Sequence, residues 1–313
     1  MFTHVPVLLQ ECIEGLNIKS DGIYVDCTLG RGGHSSEILK RLSKGHLYCF
    51  DQDQQAIDES KDRLKLISNE FTIIHANFME IKEKLAEENV FKVDGILFDL
   101  GVSSAQFDEG DRGFSYRYDA KLDMRMNKDN SLSAYDVVNN YSLNELTKIF
   151  KEYGEEKYSY QIAKNIIKRR EISPIQTTFE LVEIIKESLP KKALLNKGHP
   201  AKQVFQAIRI EVNDELTVLK KGLRSALELL NSHGRVVVIT FNSLEDRIVK
   251  NIFKEYTFEG EGSRLIPLDK KDVDYILVNR KVILPSEKEM EDNPRSKSAK
   301  LRIIERIDEN DER

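Results

Sequence analysis

Residues 23–35, IYVDCTLGRGGHS, decide how the chain reads. An apolar run, Ile23, Tyr24 and Val25, meets an acid, Asp26, and then Gly30, Gly32 and Gly33, before helix-compatible residues resume. That is the pattern of a strand feeding a tight turn that opens a helix. Glycine suits such a turn because it accepts backbone angles closed to other residues and lets a ligand approach the main chain. A nucleotide-type ligand is one reading and a plain turn is the other. Charge selects among nucleotides: a carboxylate at Asp26, on the lip of the loop, repels a pyrophosphate and attracts a cation. S-adenosylmethionine, with an ammonium and a sulfonium, fits this better than NAD. The spacing is G-x-G-G, and the G-x-G-x-x-G of dinucleotide folds is absent.

Downstream, Ile38, Leu39 and Leu42 put one apolar face on a helix over 35–43, and Gly45 ends it. A strand over 46–50 leads to Asp51, 21 positions after Gly30, where nucleotide-binding folds place an acid for the ribose hydroxyls. Asp53 competes for that role or caps a helix starting at Gln54. The rhythm repeats with a helix over 56–67, a strand over 71–75, a helix over 81–86 and a strand over 93–99 that runs into LGVSS. Alternation of this kind predicts a parallel, doubly wound, Rossmann-like α/β sheet. Such sheets bind ligands beyond the carboxyl ends of their strands, where Asp26, Asp51, Asn77, Phe78 and Asp99 would gather. A core role is the alternative for Phe78. Upstream, His4, Pro6 and an apolar run precede a short helix ending near Gly15, read as a lid segment over one edge of the core.

From Phe114 the rhythm changes. Ser142 with Glu145 forms a capping box for a helix to Tyr153, a second helix covers 155–170, and Thr177 with Glu180 caps a third that ends at Pro190. Apolar residues spaced by three or four predict one long fourth helix over 201–230. A strand over 234–241 follows, then a final pair over 274–278 and 301–307. The expected organisation is a discontinuous α/β domain, 1–115 and 214–313, carrying an inserted all-helical domain, 116–213.

With 40% hydrophobic and 32% charged residues, the 313-residue chain has the composition of a soluble globular protein. No apolar run approaches the ~18 residues of a membrane span, and no secretion signal opens the chain, so no membrane partner is expected. Cys12, Cys27 and Cys49 are widely spaced with no C-x-x-C pair, which argues against a disulfide framework and a zinc site and favours a reducing cytoplasm. A net charge of −5 excludes a general polyanion binder, so nucleic-acid contact must come from local basic clusters. Candidates include Arg112, Arg125, Lys168, Arg169, Arg170 and Arg209, and above all residues 295–302, eight residues without an acid.

Seven strings then occur in order: GRGGHS around His34, DGILFDLGVSS at 94–104, RGFSY at 112–116, LDMRM at 122–126, FQAIRIEVNDEL at 205–216, FNSLEDRIVK at 241–250 and NPRSKSAKLR at 293–302. Together they resemble the S-adenosylmethionine-dependent methyltransferases that modify N4 of a cytidine in the decoding (P-site) region of 16S ribosomal RNA. The resemblance covers nearly the whole chain. It implies a Rossmann-like methyltransferase domain with an inserted helical substrate-recognition domain, and an RNA partner met within the small ribosomal subunit. It also implies that Gly32, Gly33, His34, Asp51, Phe78, Asp99 and Gln106 hold the cofactor, and Asp26, Cys27, Thr28 and Leu29 fit the family pattern before the loop.

Methyl transfer from a sulfonium is an in-line displacement that needs alignment and no metal. The cytosine amine is a poor nucleophile because its lone pair is delocalised into the ring. Acceptors for its N–H groups would localise that pair; Asp99 is the first candidate, with Ser103 as helper, and a role for Asp99 toward the cofactor alone is the alternative. The Asp-Pro-Pro-aromatic type of motif common in amine methyltransferases is replaced here by Asp-Leu-Gly-Val-Ser-Ser. Two other functions stay open on the residues: methylation of a different amine, in DNA or protein, and a ribosome-assembly factor that binds without catalysis.

Overall fold

The computed structural model describes residues 6–102, 110–195, 198–257 and 274–308. By compactness they separate into two units, Met1–Gly101 with Leu216–Arg313, and Val102–Glu215. The first is the α/β unit. It opens with helix α1 (Leu9–Leu16) and then runs β1 (Ile23–Asp26), α2 (Gly33–Leu39), β2 (His46–Asp51), α3 (Gln54–Lys65), β3 (Phe71–His75), α4 (Ile81–Glu87) and β4 (Val93–Asp99). The second unit holds α5 (Ala134–Asn140), α6 (Leu143–Glu152), α7 (Ser159–Ile172), α8 (Thr178–Ser188), α9 (Lys191–Leu194) and α10 (Lys202–Asn213). The chain returns through α11 (Glu215–Leu229), β5 (Leu230–Thr240), α12 (Ser243–Thr257), β6 (Tyr275–Leu277), α13 (Glu287–Asp292) and β7 (Lys300–Arg306).

The sheet order is β3-β2-β1-β4-β5-β7-β6. β1 to β5 pair in parallel, and β7 runs antiparallel to both β5 and β6. Parallel strands covered on both faces read as continuous apolar runs, and these do. Successive residues feed opposite cores: Val25, Phe50, Phe98 and Val238 pack with α4, α11 and α12, whereas Tyr24, Cys49, Leu97 and Val237 pack with α1, α2 and α3. Each fully buried aliphatic or aromatic side chain contributes about 1.5–3 kcal/mol relative to exposure, so a shift of register by one residue would forfeit both layers at once.

The helical unit has its own core, in which Leu146, Phe150, Ile162, Ile166, Leu181, Ile185, Phe205 and Ile208 are buried. The capping boxes at Ser142–Glu145 and Thr177–Glu180 form as the spacing predicts. A third, Ser133–Asp136, starts α5, which the sequence reading did not include. Helix α12 was also absent from that reading, although Asn242 and Glu245 supply its start signal: Asn242 Oδ1 accepts from the backbone N–H of Glu245 at 2.9 Å, and Glu245 Oε2 accepts from that of Phe241 at 2.8 Å.

The long helix expected over 201–230 is two helices. Asp214 adopts a left-handed backbone, φ 47°, between α10 and α11. Local bonds fix the break: Arg209 forks onto Glu215 at 2.7 and 2.9 Å, and the Asn213 amide donates to Met124 O and Arg209 O and accepts from Met126 N. Apolar spacing runs through both helices unbroken, so periodicity alone cannot register a break confined to one residue. Smaller differences lie at element ends: α2 begins at Gly33 and β5 at Leu230, each ahead of its expected start.

Candidate active site

Three adjacent strands, β2, β1 and β4, each end on an aspartate: Asp51, Asp26 and Asp99. Asp26 is level with Cys49 on β2 and Leu97 on β4, so Asp51 and Asp99 each lie two residues further along, on either side of the loop that follows β1. Side chains alternate along a strand, so all three carboxylates share the parity of Cys49 and Leu97 and point to the face that carries α2. Two inter-strand spacings separate Asp51 from Asp99, about 10 Å.

Between them the loop is tightly tied. Gly30 and Gly32 take left-handed angles, φ 50° and 71°, and a Cβ at Gly32 would sit 3.3 Å from the side chain of Ser60. Gly30 N–H donates to Asp51 Oδ2 at 2.8 Å, Gly30 O accepts from Ser60 Oγ at 2.6 Å, and Leu29 N–H donates to Phe50 O at 2.9 Å. Above the loop, the Pro6 ring lies where a Cβ on Gly33 would be, at 2.4 Å, and His34 Nε2 donates to Val7 O at 3.0 Å. The amino-terminal segment is thus held against the loop, as a lid reading requires; His4 lies outside the described residues.

Asp26 departs from expectation. It is 1% exposed and lies beneath the loop, not on its lip. Oδ1 accepts from Thr28 N–H at 3.0 Å, and Oδ2 from Ser35 Oγ at 2.6 Å. A carboxylate this close to a turn is worth more to the turn's own donors than to solvent, and it folds inward to serve them. Thr28 in turn accepts from Asp99 N–H at 2.7 Å. Ser35 did not stand out in the sequence, and Thr28 did so only as part of the family pattern before the loop, because their bonds to Asp26 and Asp99 cross a turn or a strand that sequence proximity does not reveal.

Asp99 differs. Its Oδ1 is buried and has no hydrogen-bond partner among the described residues, while Oδ2 lies 3.5 Å from His34 Nδ1. Burial pushes the carboxyl up to about 6, with His34 pulling it down and the charge of Asp26 pushing it further up. Asp51 is also raised to about 6 by burial, held back by the N–H groups of Asp53 and Gly30. Both remain mostly ionised at neutral pH. Asp53 caps α3, accepting from Gln55 N–H at 3.2 Å. Phe78 is half-buried, edge-on to Phe98 at 5.3 Å and against Gly222, where a Cβ would stand 2.6 Å from its ring. Asn77 Oδ1 accepts from Met79 N–H, and its amide donates to Gln52 Oε1. Ser103 and Gln106 lie outside the described residues.

The basic candidates sort differently from expectation. Arg112 is buried, donating to the carbonyls of Arg125 and Met126, and Arg125 forks onto Asp123. Arg170 donates to Val138 O. In the 295–302 run, Lys300 and Arg302 both engage Asp246, at 3.4 and 2.8 Å. Several cations of the RGFSY, LDMRM and C-terminal strings are therefore internal braces. Among the described residues no helix is long and apolar enough to cross a membrane.

A parallel sheet with one reversed strand, carrying acids at the tips that flank its glycine loop, defines a Rossmann-like methyltransferase whose methyl donor is S-adenosylmethionine. Residues 1–307 match the MraW methylase family, and the chain belongs to it. The ribosomal RNA small subunit methyltransferase H of Exiguobacterium sibiricum is 55% identical over 99% of this chain and 100% of its own length. The protein of the same name from Clostridioides difficile is 54% identical over 98% and 99%. Among solved structures, an rRNA methylase from Streptococcus thermophilus is similar with a TM-score of 0.43 at 12% identity, covering 96% of this chain and 94% of that one.

Proposed function

We propose that this chain methylates the exocyclic N4 amine of a cytidine in the decoding (P-site) region of 16S ribosomal RNA, using S-adenosylmethionine. The names of the relatives support ribosomal RNA as substrate, and the family strings support the cytidine. One structural observation carries the chemistry: the buried Oδ1 of Asp99, which has no hydrogen-bond partner among the described residues. Leaving a buried acceptor unpaired costs about 1–3 kcal/mol, a cost that makes sense where a bound N–H group completes it. When bound, the cofactor supplies a sulfonium methyl open to nucleophilic attack. Asp51, at the tip of β2, takes the ribose hydroxyls with the lone pairs that Gly30 and Asp53 leave open. Gly32, Gly33 and His34 form the wall of the cradle, Phe78 borders it, and Asp26 supports it from below. Gln106 completes the cofactor contacts on the family resemblance, and Ser103 assists Asp99.

Asp99 accepts from one N–H of the cytosine amine, drawing the nitrogen lone pair out of the ring so that it can attack. The amine loses a proton as the new N–C bond forms and the methyl–sulfur bond of the donor breaks, the sulfur leaving as a neutral thioether, and an ionised carboxylate at this position can receive the proton. Holding donor and acceptor in line contributes up to roughly 7–11 kcal/mol of the barrier. Incubation of the chain with labelled S-adenosylmethionine and small subunits from cells lacking it should label one cytidine at N4, located by mass mapping; label in DNA or protein, or none in RNA, refutes the reading. Asp99→Asn separates its two possible roles: cofactor binding retained with turnover lost places Asp99 on the amine, and binding lost places it on the cofactor.

A further inference from the structure

We propose that the outer face of α7, Tyr160, Lys164 and Lys168 flanked by Arg169, is a docking strip for the phosphate backbone of the RNA substrate; this rests on the RNA reading above. Residues 157–170 contain five cations and no acid. Folding sorts them. Arg170 turns inward to Val138 O at 2.8 Å, and Lys157 lies over the Tyr158 ring at 5.9 Å. Lys164, Lys168 and Arg169 are exposed and meet no acid or carbonyl among the described residues.

Helical periodicity puts Tyr160, Lys164 and Lys168 in one line, i, i+4 and i+8, opposite the buried Ile162, Ala163 and Ile166. Lysines one turn apart, about 6 Å along the axis, repel each other, and neither makes an ion pair among the described residues; the nearest acid on the helix is Glu171, one turn beyond Lys168. Elsewhere in this unit Arg125 is paired with Asp123 and Arg209 with Glu215. On this face of α7 the row of like charge has no ion-pair partner among the described residues. A polyanion relieves it, and its counterions are released when the lysines take their place. Tyr160, 56% exposed and in line with the lysines, offers a ring on which an unpaired base can stack. That ring favours RNA over an acidic protein segment, which has nothing to stack.

The test is fluorescence anisotropy with a 5′-labelled 20-nucleotide single-stranded RNA and the full chain, repeated over a salt series. The triple change Lys164→Ala, Lys168→Ala, Arg169→Ala should weaken binding about 10- to 100-fold near 0.1 M salt and reduce the log–log salt slope by about 2. Tyr160→Ala alone should weaken it several-fold with the slope unchanged. A thermal midpoint equal to that of the parent chain shows that the surface changes leave the fold intact. Affinity and slope equal to the parent overturn the proposal. So does loss of binding to a poly-glutamate peptide with RNA binding retained, which would assign the strip to an acidic protein. Because the readout is binding, failure of methyl transfer in the parent chain would count against the proposed activity and leave the strip to be judged by its own measurement.

Discussion

The tips of β1 and β4 carry the same residue on neighbouring strands and use it in opposite ways. Asp26 is sealed: it is 1% exposed, and its oxygens accept from Thr28 N–H and Ser35 Oγ beneath the loop. Asp99 shares the same face, yet keeps one buried oxygen without a partner among the described residues and a raised proton affinity. A satisfied buried carboxylate holds a fold together, and an unsatisfied one strains it. What distinguishes them is which groups the chain brings up: Thr28 and Ser35 reach Asp26, and among the described residues only the imidazole of His34 approaches the Asp99 carboxylate.

The comparison breaks most sharply on Asp99→Asn. Methyl transfer should fall about 10²- to 10⁴-fold, the range for loss of a positioned base, measured by single-turnover labelling. The same change should stabilise the protein. Asp99 holds its proton more tightly folded than unfolded, so its contribution to stability is complete below about pH 4 and is lost as pH rises through about 6. At pH 8 the variant should therefore gain about 1–3 kcal/mol, visible as a thermal midpoint raised by a few degrees. A lowered midpoint would place Asp99 among the structural acids.

Asp26→Ala should do the reverse. It strands the Thr28 and Ser35 donors and should cost about 2–4 kcal/mol, read by urea unfolding, with cofactor affinity falling as the loop loosens. Stability equal to the parent would remove the distinction between the two tips.

Acid should act on Asp51 and Asp99 together. Asp51 and Asp99 are both raised to about 6, so kcat/KM for S-adenosylmethionine should fall as pH drops through 6, with a limiting slope above one on a log scale. A limb centred near pH 4 would mean that neither is desolvated as the structure describes. The smallest effect belongs to Asp53→Ala, which removes the cap of α3 and should cost about 1 kcal/mol with little change in turnover. A large loss of cofactor affinity there would transfer the ribose role from Asp51 to Asp53.

Much of this site was legible in the order of residues. The strand ends at Asp51 and Asp99 follow from where apolar runs stop, and the capping boxes at Ser142 and Thr177 follow from local hydrogen bonding that needs only a few consecutive residues. Other features were not legible for definite reasons. The break at Asp214 leaves the apolar spacing undisturbed, and its cause, Asn213 reaching Met124 and Met126, spans almost ninety positions. The inward course of Asp26 depends on Ser35, and the consumption of Lys300 and Arg302 depends on Asp246. A charge looks the same in a sequence whether it will face water or a counter-ion.

The amino-acid order by itself determined the alternation of strands and helices, the glycine turn after β1 and the acids at the strand ends, because periodicity and turn chemistry are local properties of the chain. Only the tertiary structure decided which aspartate is sealed and which is left wanting a donor, and which basic residues are braces and which form an unrelieved row. Those outcomes depend on partners that folding brings together from distant positions, and burial sets their energetic weight.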